Sequence, residues 1–337
     1  MKILLSSHAF APSIGGIETV SGLLAEEFVR LGHAVTVVTQ TPDESTEEFT
    51  YPVIRQPSFG ELFRAIKWCD VFWQSNLSLR TVWVGMLLRK PIVITHHGSY
   101  CRRPTGIDLV LRLKHTIVQR TTSVAISRAV AACFRTASAI IPNPYDVRKF
   151  IDCPPGAERS SDLIFLGRLV SEKGIDVLLE ALARLRTRAL FACLTIVGTG
   201  PEQSAMQQMA ERLGLGDQVT FAGPKRGEEL VSLLRGHRIL VIPSRYDEPF
   251  GVVALEGIAC GCIAVGSSGG GLSEAIGPCG LTFPNGDAGA LARVLEQLLR
   301  QPDEQQGLAA NAPQHLAKFH PAVIAEAYLA LFRSKLS

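Results

Sequence analysis

Short apolar runs alternate with stretches of helical period along this chain. After an interruption near the middle, the alternation starts again. KILLSS (residues 2–7) is followed by the loop HAFAPSIGG, then by Ile17, Val20, Leu24, Phe28 and Leu31 at spacings of three or four. That spacing marks one face of a helix, and Gly32 stands where a left-handed residue ends it. AVTVVTQ then reads as a second strand. Strand, helix and strand in this order make a parallel pair. The pattern continues less regularly through DVFWQS, PIVITHHG and SVAIS, with TPDESTEEFTYP as a polar connection. Prolines, charges and loss of period from Ile141 to Asp162 read as a linker. Beyond it, DLIFLGRL, LTIVGTG, VTFAG, ILVIPS and CIAVGSS are strands, separated by helical segments such as GIDVLLEALARL and GVVALEGIACG. ALARVLEQLLR and VIAEAYLALFRS are the last helices. The expected architecture is α/β: two Rossmann-like, doubly wound domains facing each other across a cleft, at residues 1–155 and 156–315.

A chain of 337 residues, 47% hydrophobic and 19% charged, has enough apolar material for two globular cores. MKILLSS reads as a strand rather than a leader. The apolar run VWVGMLL ends at Arg89 and Lys90, far short of the ~20 residues a membrane helix needs. A cytoplasmic protein with no membrane span is therefore expected. Eight scattered cysteines without a C-x-x-C pair read as buried free thiols. Charge is uneven: residues 1–155 hold 17 basic and 12 acidic side chains, and residues 156–337 hold 17 and 19. Nine basic residues and one acid, Asp108, fall between Arg89 and Arg135. That stretch is either a solvated helix face or a surface for an anionic partner. Aromatics do not interleave with it, which disfavours nucleic acid.

In open parallel sheets, ligands bind beyond the carboxyl ends of the strands, and the polar motifs fall there. Gly15-Gly16 opens the first helix, where bare amides can face an anion or simply turn the chain. Neither this pair nor Gly198-Thr199-Gly200 completes G-x-G-x-x-G, so a dinucleotide-dependent oxidoreductase has little support. His96 and His97 end a strand before Gly98. Adjacent strand residues point to opposite faces, so the two rings are not expected to share a metal. Arg168 and Lys173 in GRLVSEKG suit a diphosphate, which accepts both a planar fork and a point charge; ordinary surface charge is the other reading. Glu248 lies in the loop SRYDEPF, with Phe250, Gly251 and Val252 as the first turn of the next helix and Glu256 in its second. Free first-turn amides can bind a phosphate oxygen, and a carboxylate further on can accept from paired sugar hydroxyls. Gly269-Gly270-Gly271 permits close backbone approach or is a flexible loop. The chain has no D-x-D, no metal-ligand spacing and no G-x-x-x-x-G-K-[ST] loop.

In order along nearly the whole chain, GGIE, THHG, IPNPYDVRKF, IFLGRLVSEKGIDVLLEAL, IVGTGP, VTFAG, the E-x7-E segment from Glu248 to Glu256, and GGGLSE resemble the retaining glycosyltransferases of family 4, which have the GT-B fold. The resemblance implies a nucleotide-sugar donor of UDP or GDP type, with Arg168 and Lys173 on its diphosphate and Glu256 on the ribose hydroxyls. Glu248 would contact the transferred sugar, with Phe250, Gly251 and Val252 beside it. Gly16 would approach the phosphate and His97 the donor sugar. Gly198 would lie at the donor, and the base near Gly223 to Arg226. Residues 316–337 would form a helix crossing back to the first domain. Two places depart from the family pattern. Leu272-Ser273 stands where x-Pro is usual before Glu274, which stiffens that loop less, and PNPYD replaces Pro-Asn-Gly-x-Asp.

The function expected from this is metal-independent glycosyl transfer, without a cofactor, to a hydroxyl of a glycan, lipid-linked or small-molecule acceptor, as in polysaccharide biosynthesis. The transition state is oxocarbenium-like, and charge growing on the leaving diphosphate is met by preorganised donors. No second carboxylate is placed as a nucleophile for double displacement. Arg102 and Arg103, in the basic stretch of the acceptor domain, are the acceptor-binding candidates, with a peripheral contact at a membrane's inner face. Two rival readings are a nucleotide-sugar epimerase or hydrolase, which turns over donor without acceptor, and a non-catalytic nucleotide-sugar-binding protein, which turns over none.

Overall fold

The computed structural model describes residues 1–13, 15–42, 48–98, 109–134, 137–150 and 159–336. The chain divides into two compact units, Met1–Pro144 with Phe319–Ser337, and Tyr145–Lys318.

The first unit holds a seven-stranded parallel sheet. Its strands are β1 (Lys2–Ser7), β2 (Ala34–Thr39), β3 (Val53–Arg55), β4 (Val71–Ser75), β5 (Ile92–His96), β6 (Thr122–Ala125) and β7 (Ala137–Ile140). They lie in the order β3-β2-β1-β4-β5-β6-β7. The second unit repeats the scheme with β8 (Ser161–Leu166), β9 (Leu194–Val197), β10 (Val219–Gly223), β11 (His237–Ile242), β12 (Ile263–Ser267) and β13 (Gly280–Phe283), in the order β10-β9-β8-β11-β12-β13. Each order reverses direction after the central strand, the doubly wound arrangement. Central strands such as β4, β5 and β12 are buried along their whole length. That accounts for the apolar runs that open them, because helices cover both faces of a parallel sheet.

Three strands are absent from the sequence reading: β3, β7 and β13. Each has three or four residues and lies at a sheet edge. An edge strand packs against one neighbour only, so a short run with weak apolar character suffices. The helix Phe59–Trp68 was also unread; Ser58 and Glu61 start it with a reciprocal capping box.

The helix Pro321–Arg333 belongs to the first unit. Its Phe332 ring lies 5.9 Å from Phe28 and its Tyr328 ring 5.0 Å from Trp73. Tyr328 Oη and Trp73 Nε1 both meet Thr95 Oγ1 at 2.9 Å. The last helix is thereby fastened to β5, two residues before His97.

The cysteines correct the expectation in two places. Cys69, Cys260, Cys262 and Cys279 are buried free thiols, but Cys193 is exposed and Cys133 is disulfide-bonded.

Candidate functional site

In the second unit the connection from β8 leads towards β9, and the connection from β11 leads the other way, towards β12. The loops at these two strand ends therefore border the switch point, and several contacts join them. Lys173 ends a 3-10 turn, Ser171–Lys173, and Gly174 follows it with φ of 67°. A side chain on Gly174 would collide with the carbonyl oxygen of Pro243 in the other loop. The Arg245 amide donates to Glu172 O at 2.9 Å, and the Arg245 guanidinium pairs with Asp176.

This junction places Lys173 Nζ 2.6 Å from Glu248 Oε1. The carboxylate is 6% exposed and is further held by Ser244 Oγ, donating to Oε1 at 2.7 Å, and Tyr246 Oη, donating to Oε2 at 2.5 Å. Lys173 Nζ also lies 3.3 Å from Tyr246 Oη and 5.2 Å from its ring centre. Burial, with the Glu248 charge beside it, pushes the Tyr246 phenol well above its ordinary value, so Tyr246 stays a donor. The sequence reading gave Lys173 and Glu248 separate partners; the structure brings them into one ion pair. It missed Ser244 and Tyr246, although hydroxyls four and two residues before Glu248 were the available signal.

The glycine run backs the same loop. Gly271 N donates to Glu248 O at 2.7 Å, and Gly270, with φ of 74°, leaves no room for a side chain against that carbonyl. Gly269 N donates to Asn285 Oδ1 at 2.8 Å. These backbone ties hold the loop where the family pattern would use a proline.

The next helix is Val252–Ala259, with Gly251 as its left-handed N-cap and no capping side chain. Phe250 and Gly251 thus precede the helix rather than forming its first turn, and Phe250 is buried. Ala254, Leu255, Gly257, Ile258 and Ala259 are buried, which explains the apolar spine between two acids. Glu256 is half-buried and has no hydrogen-bond partner among the described residues. Burial pushes its carboxyl up to about 7, with Asp146 adding to the rise and Lys149 opposing it.

Arg168 follows β8, is exposed, and forms no ion pair with a described residue. No side-chain contact among the described residues joins it to the Lys173–Glu248 pair. Gly198 has φ of 139°, and a side chain there would strike Gly167 O; its amide donates to Gly223 O at 2.9 Å. Gly198 and Gly223 thus hold the ends of β8, β9 and β10 together through backbone.

In the first unit, His97 follows β5 and is 8% exposed. Its Nε2 lies 3.1 Å from Ser75 Oγ, which accepts from Ser21 Oγ, and its amide donates to Asn76 Oδ1 at 2.9 Å. Its Nδ1 is buried and has no hydrogen-bond partner among the described residues. Burial, then the neighbouring His96, lowers its pKa to about 4, so the ring is neutral at pH 7. His96 turns the other way, to Ser123 Oγ at 3.2 Å, and stacks on Phe134. Gly16 is exposed and begins the helix Gly16–Arg30, with open space where its side chain would be; Glu18 lies against Gly15 in the same turn. Arg102 and Arg103 lie outside the described residues.

Two family models match adjoining parts of the chain: Glycosyltransferase Family 4 over residues 14–149, and Glycosyl transferases group 1 over residues 150–315. Among curated proteins, the D-inositol 3-phosphate glycosyltransferase of Corynebacterium urealyticum is 34% identical over 219 residues, 58% of this chain and 51% of that protein. The protein of the same name from Frankia alni is 37% identical over 195 residues, 54% and 47% of the two chains. The aligned part thus spans about half the length of these curated relatives. Among solved structures, Anabaena HepE in complex with UDP superposes with a TM-score of 0.83 at 22% identity, over 99% of this chain and 100% of that one. Sucrose-phosphate synthase from Thermosynechococcus elongatus gives 0.79 at 22%, over 99% and 98%. The fold is GT-B, with two parallel-sheet Rossmann-like units, and the chain belongs to the glycosyltransferases of family 4, group 1 type.

Proposed function

We propose that this chain transfers a glycosyl group from a nucleoside diphosphate sugar to an acceptor hydroxyl, with retention at the anomeric carbon. The observation that carries this reading is the Lys173–Glu248 pair at the switch point of the second sheet, next to an uncapped helix N-terminus. Lys173, exposed Arg168 and the first-turn amides from Val252 suit a diphosphate. Glu248 accepts from a hydroxyl of the transferred sugar, and Glu256 from the ribose. The neutral His97 ring has a buried Nδ1 to offer a sugar hydroxyl. In the reaction, the bond from the anomeric carbon to the phosphate oxygen breaks and its electron pair goes to the diphosphate. The acceptor oxygen bonds to that carbon from the same side, and its proton passes to the leaving phosphate. Cationic side chains meet the developing charge, so no metal ion is assigned a role.

The UDP and UDP-glucose complexes of the Anabaena neighbour support a uridine donor. The relatives' name, with its inositol phosphate, supports an anionic acceptor, in keeping with the basic surplus of residues 1–155. A thermal-shift screen of UDP, GDP and ADP tests the reading. A saturating match should raise the melting point by about 5 °C or more, because it binds only the folded state. No shift with any of the three would overturn it. Donor turnover at the same rate with and without acceptors would favour a hydrolase or epimerase.

The titration of Glu256 gives a second test. Its carboxyl is raised from 4.5 to about 7 in the fold, so ionising it opposes folding as pH rises from 4.5 through 7. Glu256→Gln should therefore gain stability relative to the parent at pH 8 but not at pH 4. If the ionised carboxylate accepts two ribose hydroxyls, parental affinity for the nucleotide should strengthen as pH rises through 7. The Gln variant should lose this component, and the ligand's own titration cancels in the comparison. Parallel pH profiles for the two proteins would remove Glu256 from the binding site.

A further inference from the structure

We infer that the paired helices Phe59–Trp68 and Leu79–Leu87 form a docking face for an anionic lipid surface. This face precedes the nine-cation stretch in the sequence and meets it only at Arg89, and it stands independently of the reaction proposed above. Phe59 and Trp83 are 57% and 47% exposed, yet their rings stack at 5.6 Å with an interplanar angle of 6°. Phe63 extends the ridge at 6.1 Å from Phe59, and Leu87, 65% exposed, lies one helical turn beyond Trp83. A folded chain gains little by leaving such a contiguous apolar ridge in water, and ridges of this kind mark interaction surfaces.

Charge on the same faces names the occupant. Lys67 lies on the helical stripe of Phe59 and Phe63 at spacings of four, and Arg80 lies three before Trp83. Both are exposed, as is Arg89 just past the second helix, and none of the three forms an ion pair with a described residue. The acid of the first helix, Glu61, lies off this stripe, is engaged by Ser58 in the capping box and lies near Arg64. Aromatic rings flanked by unpaired cations match the chemistry of an anionic bilayer surface: indole and phenyl groups enter the headgroup boundary, and the cations remain at phosphate level. No described helix is long and apolar enough to cross a membrane, so the contact is peripheral.

The test is co-sedimentation of the full chain with vesicles of phosphatidylcholine alone and of phosphatidylcholine mixed with phosphatidylglycerol. Binding is expected to the mixed vesicles, with quenching of Trp83 fluorescence by brominated lipid. Phe59→Ser with Trp83→Ser should weaken partitioning by at least about tenfold. Lys67→Ser and Arg80→Ser should weaken it by about fivefold each, an effect erased by high salt. An unchanged melting point identifies variants that still fold. No binding of the parent chain to mixed vesicles would overturn the proposal, as would equal binding by folded variants. Self-association abolished by Phe59→Ser with Trp83→Ser, without vesicle binding, would assign the ridge to a second copy of the chain instead.

Discussion

Lys173→Ala is expected to lower kcat/KM for glycosyl transfer by about a hundred- to a thousandfold, the usual loss when one preorganised donor is removed from a developing anion. The structure adds a complication. Glu248 is 6% exposed and Lys173 is its partner at 2.6 Å. Removing the ammonium leaves a buried carboxylate with only Ser244 and Tyr246, and breaking a buried pair by one member costs about 3–5 kcal/mol in well-enclosed cases. Lys173 keeps a quarter of its side chain in water, so the loss here belongs below that range. The double variant Lys173→Met with Glu248→Gln separates the two effects. It should recover the melting point lost by Lys173→Met alone and remain inactive, a coupling read from the double-mutant cycle with Lys173→Met and Glu248→Gln as its single variants. Recovery of activity along with stability would make the pair a structural fastening.

Gly174→Ala is expected to cost about 3 kcal/mol of stability, the sum of a left-handed backbone at φ of 67° and a side chain driven into the Pro243 carbonyl. The opposing atom is backbone between β11 and Ser244, so a rotamer change cannot relieve the clash. The relaxed chain should also lose donor affinity, because Lys173 and Glu248 are brought together across this contact. Denaturant unfolding gives the first quantity and nucleotide binding the second. An Ala variant with parental stability would show that the two loops are not packed as closely as described.

Much of this arrangement was legible beforehand. Periodicities of two and 3.6 mark burial directly, so the central strands and long amphipathic helices could be read from apolar spacing. The edge strands β3, β7 and β13 could not, because pairing with one neighbour leaves little trace in so few residues. Charge near strand ends and in the helix that follows made Arg168, Lys173, Glu248 and Glu256 candidates, and the structure joins two of them, Lys173 and Glu248. Their partners were hidden. Ser244 and Tyr246 look like loop polarity until the chain turns both hydroxyls onto one carboxylate.

The contrast between the two acids shows the same division. Residue type and position made Glu248 and Glu256 equal candidates, eight residues apart. Folding gave one a lysine and two hydroxyls and left the other half-buried with its carboxyl pushed up to about 7. Local sequence fixes backbone conformation and which faces are apolar, because these depend on neighbours along the chain. The lysine that pairs with Glu248 lies 75 residues before it and arrives only when β8 and β11 lie side by side, and the Glu256 carboxyl is raised by burial, so both outcomes were decided by tertiary structure.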